Sequence, residues 1–424
     1  MGCPIPALIE ARGGGRHRFL RHATVGRTHL VRAAGSSTSA LGIRTMPGMP
    51  ITPGGSRSML MRLAATAALL ALAAAVPIAC GPPEPAAPRP DLLLVIVRGQ
   101  GTALGCYGDD EVHTPRLDDV AARGASMERA YAAAAGSEAS LASLLGGRVG
   151  ADVAAAGAAW SERFRSAGYR TGIVGAMERG VLSDAGLDFA ATARDEPPIW
   201  NLRQVDRFVG SGDERPWCLA VVLDGVDDEV LREDTEESAR EERRIRALEI
   251  ADRATGAVLD LLVDRGAAGD LIGLHTADGG LPARTGAGPL DEARVRVPMI
   301  AFGKAVQPGR HADLISHLDV LPTLLELASA DAEGLEGRSF ARALEGLPPG
   351  TESAPWPDQV LTRLAPSADG PSGSALRFGR WKYKVIGEEE SLHDLEQDAR
   401  EALDLSKDPG AARELAEARA RLLR

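Results

Sequence analysis

The sequence predicts an α/β fold: a mostly parallel sheet sandwiched by helices, followed by a small C-terminal antiparallel sheet and helix. Three observations predict it. Asp91–Val97 (DLLLVIV) is a continuous apolar run, the mark of a strand buried on both faces, and similar runs recur at Arg170–Val174, Cys218–Leu223, Leu271–His275 and Val297–Phe302. Helical patterns separate these runs, which is the signature of crossover connections in a parallel sheet. Beyond about residue 350 the rhythm changes to short strands and tight turns.

Each element has a local reason. Thr114–Arg123 carries Pro115 in its first turn, where a missing N–H costs nothing. Glu138–Leu145, Ala158–Ala167 and Asp319–Ala328 show helical patterns, while Glu233–Arg265 is so highly charged that much of it must face water. The C-terminal strands are expected at Gln359–Arg363, Ser374–Phe378, Trp381–Ile386 and Ser391–Leu395, with a helix over Ala411–Leu423. Open α/β sheets place their chemistry beyond the carboxyl ends of the strands. The loops to inspect therefore begin at Arg98, Gly175, Asp224 and Thr276.

The composition is that of an ordinary globular protein, with 424 residues, 44% hydrophobic and 25% charged. Its net charge of −11 is unevenly spread. Residues 1–80 hold nine Arg against one acid, a charge of +8; the rest carries 39 basic and 58 acidic groups, or −19. So acidic a body disfavours nucleic acid and anionic membrane surfaces as partners. The chain has four Lys: Lys304, Lys382, Lys384 and Lys407.

The N-terminal region is about address. Leu63–Ala79 is an Ala-rich apolar run behind Met59, Met61 and Arg62, too short for a comfortable membrane span. It reads as a secretory signal ending in a lipobox-like Pro77-Ile78-Ala79-Cys80, with Cys80 as the lipidation site; the alternative is a plain signal peptide cleaved near Ala79. The expected organisation is an extension from a misplaced start codon (1–58), the signal (59–80), a Pro-rich linker (81–90), an α/β domain (91–350) and a small subdomain (351–424). An exported product, periplasmic or on the outer surface of a bacterium, follows, with a lipid anchor as its one membrane attachment. Cys106 and Cys218 are expected to be packed thiols, and no CxxC or Cys/His metal cluster exists.

Read together, the segments resemble the sulfatase family of the alkaline-phosphatase superfamily. RPDLLLVIV, LGCYG (104–108) and HTPRLDDVAARGASMERAYA (113–132) match its opening, and SLASLLGGR (140–148) its nucleophile-bearing helix. GYRTGIVG (168–175), RVPMIAFG (296–303), SHLDVLPTLLELA (316–328), GLEGRSF (334–340), RFGRWKYKV (377–385) and SLHDLEQDAREALDLSKDP (391–409) follow in order. The resemblance implies a calcium ion held by acidic and amide side chains. It also implies a formylglycine made from a C/S-x-P-x-R motif, with Lys and His neutralising the sulfate; concentrated positive charge is what a dianionic transition state needs.

Residue by residue, most of that machinery is replaced. Arg98 stands where the family has a metal-binding Asp, and a cation cannot ligate calcium. Ser137 falls on the nucleophile position, but Ala139 replaces the Pro and Leu141 the Arg. Gly175-Ala176-Met177-Glu178 replaces a G-K-W-H-type motif, and the segment after Leu223 lacks the family's His. In the last metal loop Asp278 survives beside Gly279, and no Lys lies between Arg98 and Val297.

The surviving groups also have structural readings. Ser137 reads first as a helix N-cap, His275 as a core histidine, Glu178 as a solvated acid, and Cys106 as a packing residue. His113 and His317 fall in structural segments, with His311 and His393 outside the site.

Two functions are open. One is a degenerate, anchored binding or assembly domain without a cofactor, whose pocket takes an anionic, sulfated or phosphorylated ligand or nothing. In it the Arg98 guanidinium replaces the metal's charge by pairing with Asp278. The other is an active sulfatase or phosphoester hydrolase using Ser137, with calcium or another metal on Asp278, Glu178, Asp224 and Asp227. The N-terminal reading is checked by cell fractionation with N-terminal mass spectrometry: a membrane-associated product beginning at Cys80 is expected, and a cytosolic product retaining residues 1–58 refutes it.

Overall fold

The computed structural model describes residues 89–194, 196–225, 236–280, 287–365 and 372–423. All belong to one compact unit, Pro85–Arg424. Cys80, the apolar run before it and Asp227 lie outside the described residues. Among those described, no helix is long and apolar enough to cross a membrane.

The architecture grows from β1 (Asp91–Val97). Side chains alternate across a strand, and a run without polar residues therefore supplies apolar groups to both faces. Leu92, Leu94 and Ile96 enter one core cluster, and Leu93, Val95 and Val97 enter the other. The first face is covered by α2 (Ser137–Gly146), α3 (Val153–Ser166) and α6 (Val320–Leu327) through Leu141, Leu145, Trp160, Phe164, Leu321 and Leu324. The second is covered by α1 (Pro115–Arg123), α4 (Pro198–Val209) and α5 (Glu237–Asp264) through Leu117, Val205, Phe208, Val258 and Leu262.

Further strands are β2 (Ala125–Tyr131), β3 (Arg170–Gly175), β4 (Phe189–Thr192), β5 (Trp217–Leu223), β6 (Leu271–Ala277), β7 (Arg296–Val297), β8 (Met299–Gly303) and β9 (Gly309–Ser316). The sheet runs β4-β3-β5-β1-β6-β8-β2-β7, with β9 also on β2. From β4 to β6 all neighbours are parallel; β8 is antiparallel to β6 and β2. Val97 pairs with both Leu223 and Ala277, and Gly175 pairs with Val222. This register brings the loops that begin at Arg98, Ala176, Asp224 and Asp278 to one edge of the sheet.

A second sheet, antiparallel in the order β10 (Gln359–Leu364), β11 (Gly373–Phe378), β12 (Trp381–Ile386), β13 (Glu389–Asp394), packs on α7 (Ala412–Leu422). Lys382 on β12 is 1% exposed. Its ammonium meets Glu292 at 3.1 Å and Glu401 at 3.2 Å, while Lys384 meets Asp291 at 2.6 Å. Tyr131 of the main sheet donates to the other oxygen of Glu292 at 2.7 Å. Buried charges persist when paired in this way.

The sheet is mostly parallel as expected, but the fold has strands and a helix, α4, that the pattern did not announce. β2 (ASMERAY) and β9 (GRHADLIS) mix charged and apolar residues because β2 is half-buried at Glu128 and Arg129 and β9 begins in an exposed stretch. β4 has four residues, too few to show a period. α3 begins earlier than expected, at Val153, where Asp152 accepts from the Ala155 N–H at 2.7 Å. Its Ala-rich first turns offer no polar contrast to mark the helix.

Gly175 closes β3 at φ +124°, and a Cβ there would lie 1.8 Å from the Val222 carbonyl oxygen. Gly175→Ala is therefore expected to destabilise the fold by about 3 kcal/mol, read as a lower urea midpoint. An unchanged midpoint contradicts this account of the strand end.

Candidate functional site at the carboxyl edge of the sheet

The chain leaves β1 at Arg98 and turns through Gly99 (φ +63°) and Gly101 (φ +57°), a left-handed geometry that glycine adopts without strain. This turn lays the Gly99 N–H against Asp278, which follows β6, at 2.8 Å from Oδ1. Gln100 bridges to Gly280 across the same gap. Asp278 is 2% exposed, so its carboxylate depends on protein donors.

Three groups reach that carboxylate. Besides the Gly99 amide, the Ser137 hydroxyl donates to Oδ2, and the Arg98 Nε lies 3.9 Å from Oδ2. The Arg98 Nη1 turns the other way, donating to the Glu138 carboxylate and to the Ala176 carbonyl, each at 3.2 Å. Arg194 closes the chain at 2.6 Å from Glu138. Charges thus alternate from the buried Asp278 through Arg98 and Glu138 to Arg194 at the solvent. Burial pushes the Asp278 carboxyl above its ordinary range; Arg98, the Ser137 hydroxyl and the Gly99 amide pull it back, and Glu138 pushes it up again.

Ser137 is the first residue of α2 and not its cap. Gly136 occupies the cap position at φ 91°, where no side-chain cap is formed. The N-cap reading of Ser137 is thereby corrected: the left-handed φ favours glycine, and the serine hydroxyl is left for Asp278.

Two neutral histidines lie behind the pair. His275, fully buried, meets Gln100 at 2.8 Å, and burial lowers its pKa to about 3. His317 lies 3.2 Å from the Ser140 hydroxyl and 3.4 Å from that of Thr276, and burial likewise lowers it to about 3. Ser140 is one turn beyond Ser137 and Thr276 two residues before Asp278, so His317 ties together the two elements that present them. Neither imidazole supplies positive charge at neutral pH.

Arg98, Ser137 and Asp278 are therefore brought together. Glu178 and Asp224 are exposed and do not join them. Glu178 offers its backbone carbonyl to Thr192 at 2.9 Å. His113 is exposed, and His393 on β13 meets the Leu403 carbonyl, in the segment after the second sheet, at 2.9 Å. Cys106 is half-buried against the second core cluster, where burial and then Asp118 push its thiol up to about 12. Glu138, Arg194, Gln100 and His317 join the site without having been expected there. Glu138 adjoins Ser137 and could have been noticed; nothing in the spacing points to Arg194, 56 residues from its partner.

Calcium requires about six to eight oxygen ligands. Among the described residues no group of three or more His, Cys, Asp or Glu could hold a metal ion. Asp278 has both oxygens engaged and a guanidinium beside it, and these residues do not fit a calcium ion.

The family profile named Sulfatase matches residues 90–330, more than half of the chain. The chain belongs to the sulfatase family. A choline-sulfatase of Rhizobium meliloti (strain 1021) is 31% identical over 182 residues, 41% of this chain and 35% of that protein, so the match spans about a third of that relative's length. Among solved structures, a 2-O GAG sulfatase superposes with a TM-score of 0.64 at 18% identity, covering 79% of this chain and 91% of that one. The phosphonate monoester hydrolase of Agrobacterium radiobacter gives 0.62 at 17% identity, with 79% and 95% covered. At these identities the superpositions establish the shared sulfatase fold.

The carboxylate's environment sets a sign for pH dependence. Because the folded pKa of Asp278 is raised, its ionisation works against the fold as pH rises above the ordinary 3.8. Removing Arg98 raises that pKa further. Arg98→Met is expected to cost about 2–3 kcal/mol near pH 8 and less near pH 4.5, because a raised pKa makes protonation relieve the unpaired charge as pH falls. Urea unfolding at both pH values checks this, and an equal loss at both refutes the pairing.

Proposed function

We propose that this sulfatase-family chain is a catalytically degenerate member, exported and anchored through Cys80, that serves as a binding or assembly domain rather than an ester hydrolase. One observation carries the reading: the Asp278 carboxylate is closed off by Arg98, the Gly99 amide and Ser137. In the family resemblance this Asp would face a cation, and here a guanidinium stands in the cation's place. The Ser137 hydroxyl spends its proton on that carboxylate, in a motif without the Pro and Arg of formylglycine formation.

The electrostatics point the same way. A sulfate or phosphate ester approaching its transition state calls for concentrated positive charge. Arg98 divides its charge between two carboxylates, and the nearby histidines are neutral. An anionic ligand, sulfated or phosphorylated, would have to draw Arg98 or Arg194 away from Glu138. Such ligands are suggested by fold neighbours, one of which is described in complex with D-glucosamine-2-N,6-O-disulfate. No cofactor belongs to this reading; calcium belongs to the rival one.

The rival is an active sulfatase or phosphoester hydrolase, and one contact favours it: a hydroxyl donating to a carboxylate of raised pKa is also the geometry of a nucleophile beside a general base. The full-length chain, assayed on aryl sulfate and aryl phosphate with added Ca²⁺, Mg²⁺, Mn²⁺ or Zn²⁺, separates the two. Turnover equal to that of Ser137→Ala, with Ser137 unmodified by mass spectrometry, is the expected result. Turnover abolished by Ser137→Ala overturns the degenerate reading.

A further inference from the structure

A cleft of about 480 Å³ opens where the C-terminal sheet and α7 meet β2 and β9 at the margin of the main sheet. That volume lies within the range of small-molecule sites. The cleft shares none of its residues with the Asp278 centre, and the sulfatase reading leaves it unexplained.

Most charges along its walls are already neutralised. Arg421 grips both oxygens of Asp358 at 2.9 Å and meets Glu417 at 2.8 Å. Arg380 is held by Asp394 and Glu396. Two groups differ. Arg129 donates to the carbonyls of Ala312 and Gly379 and meets no carboxylate among the described residues. Asp313 lines the same cleft, and its carboxylate has neither a hydrogen bond nor an ion pair among the described residues.

The backbone explains how Asp313 comes to be there. Along β2 and β9, Met127 pairs with His311 but Arg129 pairs with Leu314, so Ala312 and Asp313 together oppose Glu128. Such a bulge re-aims side chains and recurs beside binding sites. The remaining walls include Trp356, Phe378 and Trp381. The Trp356 indole N–H is satisfied by the Leu314 carbonyl at 2.8 Å, which fixes the ring as an apolar surface. Trp381 carries the Arg380 guanidinium 5.2 Å from its ring centroid.

We propose that this cleft binds a small zwitterion with an apolar or aromatic body, its anionic end on Arg129 and its cationic end on Asp313. Arg–carboxylate pairing is strong and directional. A neutral molecule would leave both charges unanswered, and a polyanion would meet Asp313 with the wrong sign. The aromatic walls receive the body that extends from the charged end.

Calorimetric titration of the full chain tests the proposal with L-tryptophan, N-acetyl-L-tryptophan (anion only), L-tryptophan amide (cation only) and N-acetyl-L-tryptophan amide (neutral). The zwitterion is expected to bind at least about tenfold more tightly than each of the other three. Arg129→Gln and Asp313→Asn should each abolish that preference, with circular dichroism showing that the variants fold. The analogue series on the unaltered chain decides the matter even if a variant fails to fold. Equal binding of the neutral analogue overturns the proposal. So does an absence of binding by L-tryptophan, L-leucine and glycine betaine up to about 10 mM.

Discussion

A buried carboxylate at the end of the central strands organises this molecule's functional edge. Asp278 lies at the carboxyl edge of a sheet whose register brings the β1, β5 and β6 ends level. An unpaired charge there would cost several kcal/mol. The local features answer that demand: a glycine turn aims one amide, a glycine cap leaves the Ser137 hydroxyl available, and Arg98 supplies the opposite charge. The alternating line of Arg98, Glu138 and Arg194 then carries the compensation outward to solvent.

A guanidinium and a divalent cation solve the same electrostatic problem differently. A cation leaves coordination positions that a substrate oxygen can enter. A guanidinium stabilises the carboxylate but offers donors only in its own plane, and these are taken by Glu138 and the Ala176 carbonyl. In this chain the guanidinium holds the sheet edge together, and its other donors face Glu138 and the Ala176 carbonyl. Family membership therefore describes the scaffold, and activity has to be argued from the groups at the site.

Much of the fold was legible in the sequence because buried parallel strands write themselves as unbroken apolar runs. β1 was read with its observed bounds, and β5 lacked only Trp217. β2 and β9 were not legible, since partly exposed strands mix charges into a weak period. At the site, Arg98, Ser137 and Asp278 could be named from their positions in ordered motifs. The hydroxyl's direction could not, because it depends on Gly136 taking the cap position. Glu138 in the first turn of α2 and Arg194 beyond β4 meet only through the fold, which no local pattern encodes.

The buried lysine of β12 has a consequence for how the chain can be divided. Lys382 and Lys384 belong to the last small sheet, yet their carboxylate partners Glu292 and Asp291 precede β7 of the main one. Cutting near residue 350, where the pattern changes, would strip a Tyr131-bonded glutamate of its ammonium and expose the apolar residues that Val360 and Ala375 cover. The two sheets are consecutive in sequence but form one electrostatic unit. The C-terminal segment is thus better regarded as the final layer of the domain than as a removable module.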